Sequence, residues 1–575
     1  MSLCNLNILA SDILLHFSAS LSQFFSTIMP QIIIFSRGLL LCWIVMGIQT
    51  FPAQGQIQLR DSIWAADSDF PLHGQFFARS HNKQGMIRLG GRIYKIDADS
   101  IYCQVYFNYR PYKRLSQSLH TYARLQGQRS RKSALGRHNN KKMYVGQDNL
   151  IQIDTSTECS RRFEYHCSIE ALPGVYSVEL GLRFAAGNNI RDTILTRRDS
   201  LVCGDVIMIS GQSNVVLGNS IVQLDNLGRT FLDTNRSIIP IGYDIEMQNP
   251  SWYSTAVAHT KGYTIGGLAM GIQSEILSRV GVPVCIMNGG VNATTIDRHI
   301  PTIGPSRNAP STIYGNLLYR MECSSMQNFP KVLIWYQGES NTLDSSYIHH
   351  FQSLYAAWIS DYPSLEKVYI VQIHSSNCLP YWHASLKEMQ RRLRNLSPKI
   401  SVVATNAIPF HDNCHFKDSG YAILAKHISS LILHDIYKTG DSLAIAAPFL
   451  EKAFWLDSTQ KRLCLKFLPE SNAPLIITPD TLIEGAQRTI ADMFLFDGSN
   501  VQVREKIQSL EPLGNDALVI KLHEPLPINT RISYVAEAFY PRTQIVTQGP
   551  WIVNKRGIGA LSFYDIFIQK SEKEP

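Results

Sequence analysis

Gly204-Asp-Val-Ile-Met-Ile-Ser-Gly-Gln-Ser-Asn214 is the stretch that sets the fold. Val206 to Ile209 is an apolar, β-branched run, the pattern of a strand buried in a parallel sheet. It breaks at Gly211, where the missing Cβ permits a sharp turn. Ser213 then stands at the carboxyl end of a strand, where open α/β sheets gather their reactive groups. It also opens whatever helix follows, so backbone N–H groups point toward its substrate. A glycine–serine turn alone is only a turn. Other segments must give Ser213 a role.

Two do. Lys331-Val-Leu-Ile-Trp-Tyr-Gln-Gly-Glu-Ser-Asn341 is a second apolar strand that breaks at glycine into a polar cluster. His411-Asp-Asn-Cys-His415 precedes Gly420-Tyr421 and the helical run Ala422 to Leu433. Asp412 and His415 are close enough for one tight loop to hold both. The carboxylate can then accept from imidazole Nδ1, leaving Nε2 to take the serine proton. The chain order Ser, Asp, His is no obstacle, since triads are defined by geometry. Blander readings stand beside this one. Ser340 can cap the next helix. His411, Asp412, Cys414 and His415 suit zinc by type, but ligands crammed into so short a segment cannot easily surround one ion tetrahedrally. His374, after the strand Val368 to Ile373, lacks a nearby acidic partner in sequence and reads as a core-edge histidine.

Gly-Gln-Ser-Asn, Gln-Gly-Glu-Ser-Asn and Asp-x-x-His, in this order on strand ends, resemble the sialate O-acetylesterase-type branch of the SGNH hydrolases, grouped with carbohydrate esterase family 6. The resemblance covers roughly residues 200–435. The family's remaining block, a glycine pair followed by Thr and an aliphatic residue, is matched by Met287-Asn-Gly-Gly-Val-Asn-Ala-Thr-Thr-Ile296 after the strand Val282 to Met287, with a longer stretch from Gly290 to Ile296 than usual. The resemblance implies Ser213 as nucleophile, His415 as base and Asp412 as its orienting acid. It implies an oxyanion hole from the N–H groups of Ser213 and Gly290 (or Gly289) and the amide of Gln337, with Asn341 as an alternative donor. Such donors lower the barrier to a tetrahedral anion by several kcal/mol. Gln212, Asn214, Glu339 and Asn341 are supporting residues, Glu339 orienting its neighbours rather than acting as base.

The 575 residues, 45% of them hydrophobic, suffice for about three domains. The net charge of +8 is exceeded by the ten Lys and Arg of residues 107–142, which hold no Asp or Glu. That stretch reads as a solvated basic loop, and the near-neutral remainder argues against a nucleic-acid partner. Residues 29–55 resemble a secretory signal, with Arg37, an apolar core from Gly38 to Ile48, and small residues at Ala53-Gln-Gly55. The core is too short to favour a spanning helix, so no stable membrane insertion is expected after cleavage. The expectation is then that residues 1–28 are a mis-started extension and Met29 the true beginning; the alternative is an uncleaved anchor, since 1–28 is itself fairly apolar. Export permits disulfides. Cys378 and Cys414 both follow core strands and can brace the His415 loop, whereas Cys203 and Cys285 read as buried thiols.

Residues 56–200 carry short alternating runs such as Ser100 to Phe107 and Val175 to Phe184, expected to form a β-sandwich-like domain. Strands alternate with helices, among them Tyr347 to Trp358 and Leu386 to Leu396, through 201–440, expected to be a three-layer, flavodoxin-like α/β domain. Alternation returns in 441–575, at Leu463 to Phe467 and Asp516 to Leu522, suggesting a second β-sandwich. The expectation is a secreted, periplasmic or cell-surface serine esterase that deacetylates a carbohydrate and needs no metal or organic cofactor. Acetyl groups and sugars enter only through the resemblance. The competing expectation is a non-catalytic glycan-binding or structural protein on the same scaffold. Oligomeric state is open.

Overall fold

The protein, seen here as a computed structural model, is described at residues 64–80, 82–94, 98–118, 160–186, 188–218, 226–233, 250–256, 265–341, 344–374, 384–412, 414–468, 474–483, 486–496, 505–527, 529–536 and 549–570. The expected signal and N-terminal extension lie outside them, as does the basic stretch beyond residue 118. Contacts separate a small unit, drawn from 1–67, 91–97 and 152–163, from a larger one containing the rest. In the small unit Trp64–Ala66 pairs antiparallel with residues 91–93.

Among the described strands that precede the α/β region, four join its sheet: β1 (Phe76–Ala78), β2 (Ser100–Phe107), β3 (Arg110–Ser118) and β4 (Tyr176–Ala186). The start of the basic stretch is therefore strand, not loop, since β3 is a hairpin partner of β2. Next comes β5 (Asn189–Gly211), 23 residues long. Its first half pairs antiparallel with β4, and its second half lies between two parallel neighbours. Residues 201–211 are buried throughout, whereas 189–200 are mostly not. The domain boundary expected at 200/201 thus falls inside one strand. The change in hydrophobicity there records a change in cover, because only the second half is flanked on both sides by parallel strands.

Around that second half the sheet runs β7 (Pro250–Ser254), β6 (Arg229–Asp233), β8 (Val284–Asn288), β5, β9 (Pro330–Tyr336), β10 (Lys367–Val371), β11 (Ile400–Val403). With β1 to β4 it makes eleven strands. The helices are α1 (Ser213–Val216), α2 (Gly267–Val280), α3 (Ile313–Cys323), α4 (Tyr347–Asp361), α5 (Ala384–Arg392) and α6 (Asp418–Asp435). Among the described residues, no helix is long and apolar enough to cross a membrane. Arg79, just after β1, ties the early strands to the sheet: its guanidinium donates to buried Asp205 at 2.8 and 2.6 Å. Lys331 Nζ and the Tyr437 hydroxyl reach the same carboxylate, at 3.0 and 2.7 Å.

The turn that ends β5 depends on Gly211, whose φ is +144°. A Cβ there would sit 2.0 Å from the Tyr336 carbonyl oxygen. Strain and clash act together, so Gly211→Ala is expected to destabilise the protein by about 2–4 kcal/mol. A thermal melt within a degree of wild type would contradict this account.

Beyond residue 449 the chain builds a seven-stranded sheet, with β12 (Leu450–Trp455), β13 (Arg462–Phe467), β14 (Phe494–Phe496), β15 (Ile507–Leu513), β16 (Ala517–Leu522), β17 (Arg531–Tyr534) and β18 (Phe563–Gln569) in the order β14-β17-β18-β12-β13-β16-β15. It has its own apolar core, including Trp455, Leu465, Ile520 and Tyr534. Buried amides join it to the α/β region. Gln372, just past β10, exchanges two 2.9 Å hydrogen bonds with the backbone of Ser562. Asn406, past β11, donates to the Ala560 carbonyl at 2.7 Å. Both amides sit on segments following the strands that precede the His411–His415 loop. The C-terminal region therefore buttresses the side of the α/β region that carries the His411–His415 loop.

Candidate active site

The carboxyl ends of β5, β8 and β9 and the loop before α6 converge on one place. Gln212 caps α1 and Ser213 opens it, buried to all but 8%. His415 Nε2 lies 2.8 Å from Ser213 Oγ, although the two are 202 residues apart. The loop that carries His415 is held by its own acid. Asp412 Oδ1 accepts the backbone N–H groups of Cys414 and His415 at 2.9 and 2.7 Å, as an aspartate does in a tight turn. Its Oδ2 stands 3.8 Å from His415 Nδ1, at ion-pair range and longer than a hydrogen bond. Burial opposes ionisation of Asp412. The two N–H groups and the neighbouring imidazoles outweigh it and hold the carboxyl below its ordinary value. Asp412 thus shapes the loop first and faces the imidazole second. Such distances commonly shorten when substrate binds.

The polar residues of the two strand-end motifs brace one another. Gln212 Oε1 accepts from the backbone N–H groups of Gly338 and Ser340 at 3.2 and 3.3 Å. Asn214 is the hub. Its amide donates to Glu339 at 2.6 Å and to the Cys414 carbonyl at 3.3 Å, and its oxygen accepts from Tyr421 at 2.9 Å. One side chain thereby joins the residue after Ser213 to the residue before His415. Burial pushes the Glu339 carboxyl up to about 7, its own backbone N–H and the Asn214 amide offsetting only part of that. Asn214→Ala would leave Glu339 and Tyr421 short of a buried partner and uncouple the two loops. The expected outcome is a loss of about 1–3 kcal/mol in denaturant unfolding and a fall in kcat exceeding any change in KM.

The expected oxyanion hole needs correction. Gln337 is wholly buried, and its amide donates to Thr294 O at 3.0 Å, Asn341 Oδ1 at 2.5 Å and Gln212 Oε1 at 3.3 Å. An amide has only two such hydrogens, so none remains for a substrate. The Gly290 N–H is likewise engaged, by Asn288 Oδ1 at 2.7 Å. Asn341 donates one of its two amide hydrogens to Asp344 at 2.9 Å. Among the described residues, the Ser213 N–H and the second Asn341 hydrogen are the donors named from sequence that have no protein acceptor.

Several residues here carry no sequence signal. Asn288 ties its loop to α1 by donating to Val215 O at 2.7 Å. His299 lies edge-on to Trp335 and 2.8 Å from Thr294 Oγ1, which itself donates to Val291 O. These contacts join residues that are neighbours only in the fold. His374 is buried against His411, ring centroids 4.2 Å apart, and burial holds its pKa well below the ordinary value. It is a core residue, as its sequence context suggested. Cys414 is disulfide-bonded. Its expected partner Cys378 lies outside the described residues. A bonded sulfur is no thiolate ligand, which removes one donor from the zinc reading.

No curated protein matches this chain significantly in sequence. It resembles the crystal structure of a carbohydrate acetylesterase from Xanthomonas citri, at 14% identity and a TM-score of 0.52, over 87% of this chain and 99% of that one. At that identity the likeness concerns the fold. A structure of a protein from Arabidopsis thaliana aligns at 19% identity and a TM-score of 0.29, over 40% of this chain and 99% of that one. Residues 203–434 match the model of the carbohydrate esterase, sialic acid-specific acetylesterase family. The segment that carries Ser213, Glu339 and His415 is therefore a carbohydrate esterase domain of the sialic acid-specific acetylesterase family.

Proposed function

We propose that the protein is a serine esterase that removes O-acetyl groups from carbohydrate. The observation that carries this reading is the 2.8 Å approach of His415 Nε2 to Ser213 Oγ inside the family-matching segment. His415 takes the Ser213 proton as Oγ bonds to the acetyl carbon, and the resulting oxyanion is met by the Ser213 N–H. The tetrahedral centre then expels the sugar oxygen, which receives the proton from His415. Water, deprotonated in turn by His415, adds to the acetyl carbon, and the tetrahedral centre expels Ser213 Oγ, which takes that proton back from His415 as acetate leaves. Asp412 holds the loop and favours the imidazolium that forms twice in this cycle. Glu339 acts through Asn214. The chemistry needs no metal or organic cofactor.

We also infer that residues 29–55 are a signal peptide and that the enzyme works outside the cytoplasm. The parallel order β8-β5-β9-β10-β11, its strands alternating in the chain with helices, supports three layers in the α/β domain. The flanking β regions remain as proposed, sandwich-like modules around it.

The test is acetate release by residues 56–575 from ethyl acetate, glucose pentaacetate and O-acetylated sialic acid, with and without a chelator. Activity that persists with chelator supports the serine mechanism. Activity lost to chelator sinks it, and a folded protein inert on all three favours a glycan-binding scaffold.

A further inference from the structure

We propose that Phe410 is the platform on which a sugar ring of the ester substrate stacks, an inference that rests on the esterase reading above. The loop bearing Asp412 and His415 is a small antiparallel hairpin. Asp412 N–H donates to His415 O at 2.9 Å, His411 and Phe416 form a β-bridge, and Lys417 N–H donates to Phe410 O at 2.6 Å. Residues opposite one another in such a ladder put their side chains on the same face, and successive pairs alternate. His411 and Phe416 are 1% and 5% exposed, with ring centroids 6.1 Å apart, so their pair faces the core. The pairs on either side, Phe410 with Lys417 and Asp412 with His415, are exposed or half-buried and so lie toward solvent. Phe410 is two residues from Asp412 in the chain.

Phe410 is 45% exposed and has a φ of +67°. A bulky residue in the left-handed region costs about 1 kcal/mol or more, and strain of this kind persists where a site needs it. Core packing offsets it only in part, because nearly half of the residue is in water. The reaction supplies the use. The departing sugar oxygen must take its proton from His415 Nε2, so the sugar ring sits beside His415, on the solvent side of the hairpin, where Phe410 lies. The apolar C–H face of a pyranose has the shape and chemistry to cover an aromatic ring.

The test compares wild type with Phe410→Ala, Phe410→Gly and Phe410→Trp on glucose pentaacetate and on ethyl acetate, which has no ring. In Phe410→Ala the KM for the sugar ester should rise about tenfold with kcat changed much less, and the sugar-to-ethyl kcat/KM ratio should fall about tenfold. Phe410→Gly, relieved of strain, should melt no lower than wild type yet lose the same ratio. Phe410→Trp should restore it. Equal losses on both esters, an unchanged sugar KM in Phe410→Ala, or a Trp variant as poor as Ala would each overturn the proposal. A wild type inert on both esters would instead strike down the esterase reading itself.

Discussion

Ser213→Ala is expected to lower kcat for acetyl-ester hydrolysis by about four to six orders of magnitude, the loss seen when a triad nucleophile is removed. The size follows from the site. His415 Nε2 is 2.8 Å from Ser213 Oγ, and an alanine methyl offers it no proton to take. The fold should be indifferent, since the site is buried and alanine is smaller by one hydroxyl. His415→Ala should lose nearly as much and should not add to Ser213→Ala, because the two act as a unit. Asp412→Ala should cost less in kcat, because its carboxylate is 3.8 Å from the imidazole and half exposed, but it should also loosen the loop. The measurement is single-turnover acetate release, with circular dichroism to establish folding. A folded Ser213→Ala protein that retains more than about a hundredth of wild-type kcat would refute the assignment.

Stability is expected to fall steeply below about pH 6.5, the ordinary histidine pKa. His299, His374 and His411 are 2%, 3% and 1% exposed. Burial pushes His299 down to about 3 and His411 to about 4, and holds His374 well below its ordinary value. The sign follows from proton linkage. Above about pH 6.5 these rings are neutral in both folded and unfolded chains, and stability is fully present. As pH falls, the unfolded chain takes up protons that the folded one refuses, and stability is lost until the folded pKa values are reached. Each histidine contributes about 1.4 kcal/mol per pH unit; His427, which burial also pushes down to about 4, adds a fourth, while Glu339, pushed up to about 7, takes up its proton in the folded chain first and offsets one, so the net approaches about 4 kcal/mol per unit. That rivals the whole stability of a typical domain within two pH units. Urea unfolding at pH 7.5, 6.0 and 5.0 measures the slope, and His374→Phe should flatten it by about a third. An unchanged slope in that variant would show that His374 is not a source of it.

The chain's chemistry was legible wherever it is local. A β-branched run ending at Gly211, a second ending at Gly338, and Asp412 spaced to fold back on the N–H groups of Cys414 and His415 are each properties of a few consecutive residues. Backbone sterics and short-range hydrogen bonding act on them before any tertiary contact forms. The helices at Tyr347–Asp361 and Asp418–Asp435 were readable for the same reason, their apolar positions recurring at helical spacing.

What only the tertiary structure decided is where each polar side chain spends its hydrogen bonds, and how far one strand runs. Gln337 and Gly290 look like oxyanion donors in sequence, yet their N–H groups are already bonded to Thr294, Asn341 and Asn288. An amide's free hydrogens depend on neighbours brought together by folding, and no spacing reports them. Asn214 is a motif residue whose purpose, joining Glu339, Tyr421 and Cys414, exists only across more than a hundred residues of chain. Residue 201 marked an expected boundary because alternating runs give way there to strands and helices, but it lies inside β5, at the point where that strand becomes buried. Sequence carries the identity of the reacting groups; packing decides which of them are still free to react.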